Sequence, residues 1–327
     1  MIIVTGGAGL IGSGLVWGLN QQGVEDILVV DHLGCSEKWK NLRSLRFRDY
    51  VEKDVFREML VNGAFDNEPI EGILHMGACS STTEKDATYL VDNNYNATKE
   101  LALFAMERDI RMVYASSCAT YGGGEHGYND DEADIPNLRP LNMYGYSKQL
   151  FDLFAMNNNL FDNGNLVGCK FSNVYGPNEL HKGEMRSVIC RAYEQLSAGE
   201  KLKLFKSYRP EYADGEQVRD FLYVKDAVDM VLYLFDHESA SGIYNVGSGK
   251  AESWNKLAKA VYDAFGRPFE VEYIEMPEYL RGKYQYYTKA RMDKLKTLGY
   301  DKKPMSLEAA IRDYICEYRM KDKYLGD

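Results

Sequence analysis

Three times in this chain a tyrosine precedes a lysine by four residues: Tyr95 with Lys99, Tyr144 with Lys148, and Tyr279 with Lys283. On a helix that spacing places both side chains on one face. A phenol beside an ammonium is a potential acid–base pair. Free tyrosine ionises near pH 10, and a neighbouring cation favours the phenolate. The chain has 25 tyrosines, so the spacing alone selects none of the three. A second candidate is TGGAGLIGS (5–13), where Gly6, Gly9 and Gly12 give G-x-x-G-x-x-G and Gly7, Gly9 and Gly12 give G-x-G-x-x-G. Glycines at such a turn allow unusual backbone angles, close approach to a pyrophosphate and tight packing of the next helix. Free N–H groups at the helix start then hold phosphate. With 29 glycines in the chain the spacing is a weak signal by itself. It sharpens because a strand precedes it, a helix follows, and Asp31 ends the next strand about 20 residues on, where an acidic side chain binds ribose hydroxyls.

The elements that would position these residues alternate. MIIVT (1–5), ILVVD (27–31), GILHMGA (72–78), RMVYASS (111–117) and LVGCKFSNVYG (166–176) read as buried parallel strands. Leu10–Gln22, Asp86–Arg108 and Tyr144–Asn159 read as helices between them. This alternation predicts an α/β fold with a doubly wound parallel sheet of Rossmann type. Residues 1–172 with about 220–248 would form the dinucleotide-binding domain. About 173–219 and 249–327 would form a smaller, mostly C-terminal substrate-binding lobe, with KSYRPEYADGEQ (206–217) as a surface loop. In such a sheet, ligands sit beyond the carboxyl ends of the strands. ASSCATYGG (115–123) runs off one of those ends at Ser117, and the helix bearing Tyr144 and Lys148 follows. Tyr95 falls within a long helix, where it packs or faces solvent. Tyr279 falls outside the alternation. The middle pair is the catalytic candidate.

Composition narrows the function. A net charge of −10 argues against a nucleic-acid binder. No apolar run spans a membrane, and the start lacks signal-peptide features, so a cytoplasmic location is expected. Cys35, Cys79, Cys118, Cys169, Cys190 and Cys316 form no Cys-x-x-Cys pair and no cluster of zinc spacing. They are expected to be reduced, with no metal bound.

TGGAGLIGS, the Ser117 strand end and Tyr144-x-x-x-Lys148 together resemble the extended short-chain dehydrogenase/reductase family, in its NAD-dependent epimerase/dehydratase branch. ILVVDHL, HMGACSSTTEKD, DNNY, PLNMYGYSK, FSNVYGPNELHKGEM and LRGKYQYYT carry the resemblance from residue 1 to about 290. CSSTTE and His181-Lys182-Gly183 are its most specific parts and resemble the nucleotide-sugar 6-epimerases. The resemblance implies transient oxidation of a sugar carbon by bound NADP, with NAD as the alternative, and return of hydride to the opposite face. It implies that Tyr144 is the base beside Lys148, that Ser117 bonds the reacting oxygen, and that Lys182 is a second proton carrier. It places Gly6, Gly9, Leu10, Ile11, Gly12, Asp31, His32, Lys38, Lys53, Met76, Gly77, Ala78, Cys79, Ser80, Asn93 and Val174 at the cofactor, with Lys148 and Lys182. It places Asn173, Glu184, Arg191, Phe205, Arg219 and Tyr284 at a nucleotide-sugar substrate, and it implies a homo-oligomer. Lys38 and Lys53 favour a 2′-phosphate, whereas Asp31 would repel it. The chain departs from the pattern at Glu184 (usually serine), Arg191 (usually histidine), His32 (usually asparagine) and in a longer 206–217 loop. Competing readings are a nucleotide-hexose 4-epimerase, which would not need His-Lys-Gly, and a cofactor sensor without chemistry. A 4,6-dehydratase would carry an acidic pair where Cys118 and Ala119 stand.

Overall fold

The computed structural model describes residues 1–281 and 284–327. Strands β1 (Ile2–Thr5), β2 (Ile27–Asp31), β3 (Asp49–Glu52), β4 (Gly72–His75), β5 (Met112–Ser117) and β6 (Leu166–Phe171) join β11 (Gly242–Val246) in one seven-stranded sheet. Its order is β11-β6-β5-β4-β1-β2-β3, and every neighbouring pair is parallel. Apart from the edge strand β3, the strands are buried and mostly apolar because helices cover both faces. Ile2 and Val4 point to one layer and Ile3 to the other. The first layer holds α1 (Leu10–Gln21) and α7 (Val224–Asp236). The second holds Phe56 of α2 (Lys53–Val61), Leu101 and Phe104 of α4 (Ala97–Glu107), and Phe151 and Ala155 of α5 (Met143–Asn157). The expected α/β class and parallel sheet are therefore what the chain forms.

The sheet grows outward in opposite directions from β1 and β4, which opens a crevice beyond their carboxyl ends. Three smaller pairs stand beside it. β7 (Asn173–Tyr175) runs parallel to β10 (Phe221–Tyr223), β8 (Leu202–Phe205) parallel to β13 (Val271–Ile274), and β9 (Val218–Arg219) antiparallel to β12 (Glu252–Ser253). Helices α6 (Val188–Ser197) and α8 (Trp254–Ala264) pack with them.

Two expectations about elements change, and two elements were not expected. LVGCKFSNVYG is two strands, because the chain changes partner at Ser172: the Ser172 N–H donates to Val246 of β11, and the next N–H donates to Asp220 beside β10. Asp86–Arg108 is not one regular helix. Short α3 (Ala87–Leu90) passes through a π-helical turn, Val91–Asn96, before α4. Strand β3 and helix α2 gave no clear sequence signal, since β3 is a half-exposed edge of mixed composition, DYVE.

Candidate active site

The glycine turn is built as its spacing implied. Gly6 has φ +64, and a Cβ there would lie 2.7 Å from the Gly77 nitrogen. A Cβ on Gly12 would lie 2.0 Å from the Gly6 carbonyl oxygen, so only glycine lets α1 begin this close to the turn. Leu10 and Ile11 send their side chains into the core. Any contact they make with a phosphate would be through the backbone at the helix start. Gly9 and Gly12 shape the turn.

Beyond the turn lies a cavity of about 270 Å³ lined by Gly6, Asp31, His32, Lys38, Lys53, Met76, Gly77, Ala78, Cys79 and Asn93, among others. One carboxylate oxygen of Asp31 accepts the Ala8 N–H at 2.8 Å. The other accepts the His32 N–H at 2.6 Å and pairs with the Lys38 ammonium. Lys38 thus neutralises the charge that would repel a phosphate. Lys53 donates to the Asn93 side chain at 2.8 Å, and His32 meets Glu52 at 2.7 Å.

Ser80, next to Cys79, borders a second cavity of about 1040 Å³, also lined by Ser117, Tyr144, Asn173, Val174, Lys182, Arg191, Arg219 and Tyr284. Residues distant in sequence are thereby brought to one space. Ser117 ends β5, and its hydroxyl accepts the Ala119 N–H at 3.0 Å. Asn142 caps α5 by accepting the Gly145 N–H at 2.8 Å. A Cβ at Gly145 would stand 2.9 Å from the Ala119 carbonyl oxygen, so glycine lets α5 pack against the turn that follows Ser117. That packing sets Tyr144 beside Ser117. Burial raises the Tyr144 pKa above its usual value, and hydrogen bonding with the Ser117 hydroxyl opposes this. Lys148, one turn along, is buried, and its Nζ has no hydrogen-bond partner. Burial brings its pKa down to about 8, against the pull of Asp152. An ammonium is costly to bury without partners, so Lys148 marks a place where a polar ligand group belongs.

A charged network unforeseen in the sequence underlies this helix. Asp152 accepts from the Tyr114 hydroxyl at 2.9 Å, the Ser116 hydroxyl at 2.7 Å and the Lys170 ammonium at 2.7 Å. Lys170 also donates to Thr120 at 2.7 Å. The network ties β5, the turn after Ser117, β6 and α5 together. On the other side, Asn94 in the π turn holds Cys79 through both backbone groups and donates to the Ser147 hydroxyl at 3.0 Å.

On the opposite wall Arg219 is buried, and among the described residues no carboxylate lies within ion-pair distance of it. Its guanidinium stacks 5.0 Å from the Tyr284 ring and 5.8 Å from Trp254. Burial lowers the Lys182 pKa, while Glu179 raises it. Two expected substrate residues sit elsewhere. Glu184 is exposed and does not line the cavity, and Phe205 stands behind Tyr284, edge-on at 6.3 Å. Tyr128, Trp254, Gln285 and Ser172, whose buried hydroxyl lacks a partner, join the lining without having been foreseen. Cys118 also lines it, but burial pushes its thiol well up, so it is no nucleophile. Of the other Tyr/Lys pairs, Tyr95 and Lys99 pack on Phe154. The third pairs Tyr279 with Lys283, and Lys283 lies outside the described residues.

One cavity borders the glycine turn, a second is lined by Ser117, Tyr144 and Lys182, and Lys148 is buried outside both linings; the chain belongs to the NAD dependent epimerase/dehydratase family, whose model matches residues 2–247. Within it, the chain is 51% identical to the ADP-L-glycero-D-manno-heptose-6-epimerase of Nitratidesulfovibrio vulgaris (strain DP4), over 97% of this chain and 98% of that one. It is 48% identical to the protein of the same name from Fusobacterium nucleatum, over 99% and 100%. The crystal structure of the Helicobacter pylori ADP-L-glycero-D-manno-heptose-6-epimerase superposes with a TM-score of 0.80 at 27% identity, covering 97% of this chain and 95% of that one.

Proposed function

We propose that the protein is an isomerase that interconverts ADP-D-glycero-D-manno-heptose and ADP-L-glycero-D-manno-heptose at C6, supplying a heptose precursor of lipopolysaccharide. The observation that carries this reading is that Ser117, Tyr144 and Lys182 line one cavity together with the buried Arg219. The relatives' shared name supplies the substrate. A 4-epimerase would have no need of Lys182 there.

The residues fit a nicotinamide dinucleotide. The turn at Gly6–Gly12 offers backbone N–H groups for its pyrophosphate, and the partnerless Lys148 ammonium suits its ribose hydroxyls. When bound, the nicotinamide accepts hydride from C6 and returns it. Lys38 and Lys53 at the smaller cavity support NADP over NAD, with Asp31 already neutralised. Arg219 pairs with the substrate diphosphate, a match of buried cation to anion, and Tyr284 packs beside it.

Tyr144 is held neutral by burial. A positive charge bound near Tyr144 would favour its phenolate, and an oxidised nicotinamide would supply that charge. Tyr144 then takes the C6 hydroxyl proton of one epimer, with Ser117 donating to the same oxygen. The resulting ketone turns over without leaving. Lys182, its pKa lowered by burial, exchanges the proton for the other epimer. Residues 1–172 and about 220–248 serve the cofactor, and 173–219 with 249–327 serve the sugar nucleotide.

A homo-oligomer is part of the reading, and light scattering tests it. So is a cytoplasmic location: all six cysteines are free, and among the described residues no helix is long and apolar enough to cross a membrane. The function is tested by incubating the protein with ADP-D-glycero-D-manno-heptose and following C6 configuration by NMR. An equilibrium mixture of both epimers supports it; unchanged substrate defeats it.

A further inference from the structure

Lys182 sits on a short 3₁₀ segment, Leu180–Met185. One of the ties on its loop comes from a residue distant in sequence, Asn41. Asn41 ends another 3₁₀ segment, Glu37–Asn41, and its side chain is buried. Its Nδ2 donates to the Ala8 carbonyl of the glycine turn at 2.8 Å and to the Asn178 carbonyl of the Lys182 loop at 2.9 Å. The same nitrogen lies 3.2 Å from His181 Nδ1, next to Lys182. Both amide hydrogens are therefore committed across the crevice. Burial with nearby Lys38 and Lys182 brings the His181 pKa down to about 4, so the ring beside this amide carries no charge at neutral pH.

We propose that Asn41 is a positioning residue for Lys182, locking the loop of the second proton carrier to the turn that holds the cofactor pyrophosphate. This deepens the functional reading above and rests on it. The loop has other pins, and one of them is close: the Glu179 carbonyl accepts the Lys182 N–H at 3.0 Å. Asn178 donates to Ser13 at 2.9 Å, and Glu179 accepts from the Ser187 N–H and hydroxyl at 2.6 and 2.7 Å. Without Asn41, the His181 ring loses its contact with the glycine turn, and the loop keeps only the link through Asn178 and Ser13 to the Gly9 carbonyl. In the step at stake, the C6 hydroxyl of one epimer gives its proton to the neutral Lys182 amine. The C6 hydrogen leaves as hydride to oxidised nicotinamide, and C6 becomes a ketone. A misplacement of about 1 Å in such a step costs on the order of 100-fold.

The test measures single-turnover reduction of bound oxidised cofactor by each C6 epimer separately. Lys182→Met identifies the epimer that Lys182 serves. Asn41→Ala is expected to slow that same epimer by roughly tenfold or more, with the other epimer, cofactor affinity and melting temperature little changed. Equal slowing of both epimers, or slowing of the epimer that Tyr144→Phe impairs, or no slowing, overturns the proposal. Should Asn41→Ala not fold, Asn41→Ser keeps one polar contact and is held to the same outcomes. If the wild-type protein reduces its cofactor with neither epimer, the functional reading itself fails, and the proposal with it.

Discussion

Replacing Lys148 by methionine is expected to make the cofactor-free protein more stable while abolishing its activity. The Lys148 ammonium is buried, makes no hydrogen bond, and has its pKa brought down from 10.5 to about 8. That depression corresponds to about 3 kcal/mol of disfavoured charge at neutral pH. Methionine keeps the length and flexibility of the stem, and repacking should cost below about 1.5 kcal/mol. A net gain of about 2 kcal/mol at pH 7 follows, read as a raised urea midpoint at unchanged slope. The pH dependence carries the proof. Between about 8 and 10.5 the unfolded chain holds a proton on Lys148 that the folded chain has lost, so wild-type stability rises with pH across that window relative to the variant. Below about 8 the penalty is fully present, and above 10.5 it is gone. The variant's advantage should therefore shrink towards zero by pH 10.5. A variant destabilised at pH 7, or one whose difference from wild type does not change with pH, would refute the idea that Lys148 is held at the expense of stability.

Tyr144→Phe removes the proton carrier but no core packing; turnover should fall by about 10²–10⁴ with cofactor affinity retained, and turnover within a few-fold of wild type would rule the residue out as base. Lys38→Ala should weaken NADP by about 1.5–3 kcal/mol and leave NAD nearly unaffected; equal loss for both, measured by titration calorimetry, would place the phosphate elsewhere. Asp152→Asn strands the Lys170 ammonium, which is 1% exposed, and should cost about 3–5 kcal/mol of stability. A loss under about 1 kcal/mol in chemical denaturation would show the network to be unimportant.

The parts of this architecture legible in the sequence were those written in local pattern. The buried runs IIVT and ILVVD, the glycine spacing and the cap-to-helix segment around Tyr144 each declare themselves over a few residues, because burial on both faces and tight turns restrict residue type. Strand β3 did not, since an edge strand buries little and so carries little pattern. The π turn at Val91–Asn96 was hidden because its composition is compatible with regular helix; what distinguishes it is tertiary, the grip of Asn94 on Cys79 and Ser147. Arg219 and Lys182 could be named from motif resemblance, but neither the guanidinium's lack of a carboxylate partner nor the tie through Asn41 has any local signature. Asn41 reaches residues 33 and 137 positions away, contacts that only the folded chain defines. Glu184 shows the converse: a motif position alone did not bring it to the cavity.

The most direct test of the central claim uses ADP-D-glycero-D-manno-heptose carrying deuterium at C6. If a hydride is lifted from C6, kept on bound nicotinamide and returned within one cavity, the inverted product retains its deuterium in ordinary water. Unlabelled substrate run in deuterium oxide takes none up at C6. Loss of label to solvent during inversion would mean that C6 is deprotonated rather than oxidised, and the roles assigned to Tyr144, Lys148 and the glycine turn would fall together.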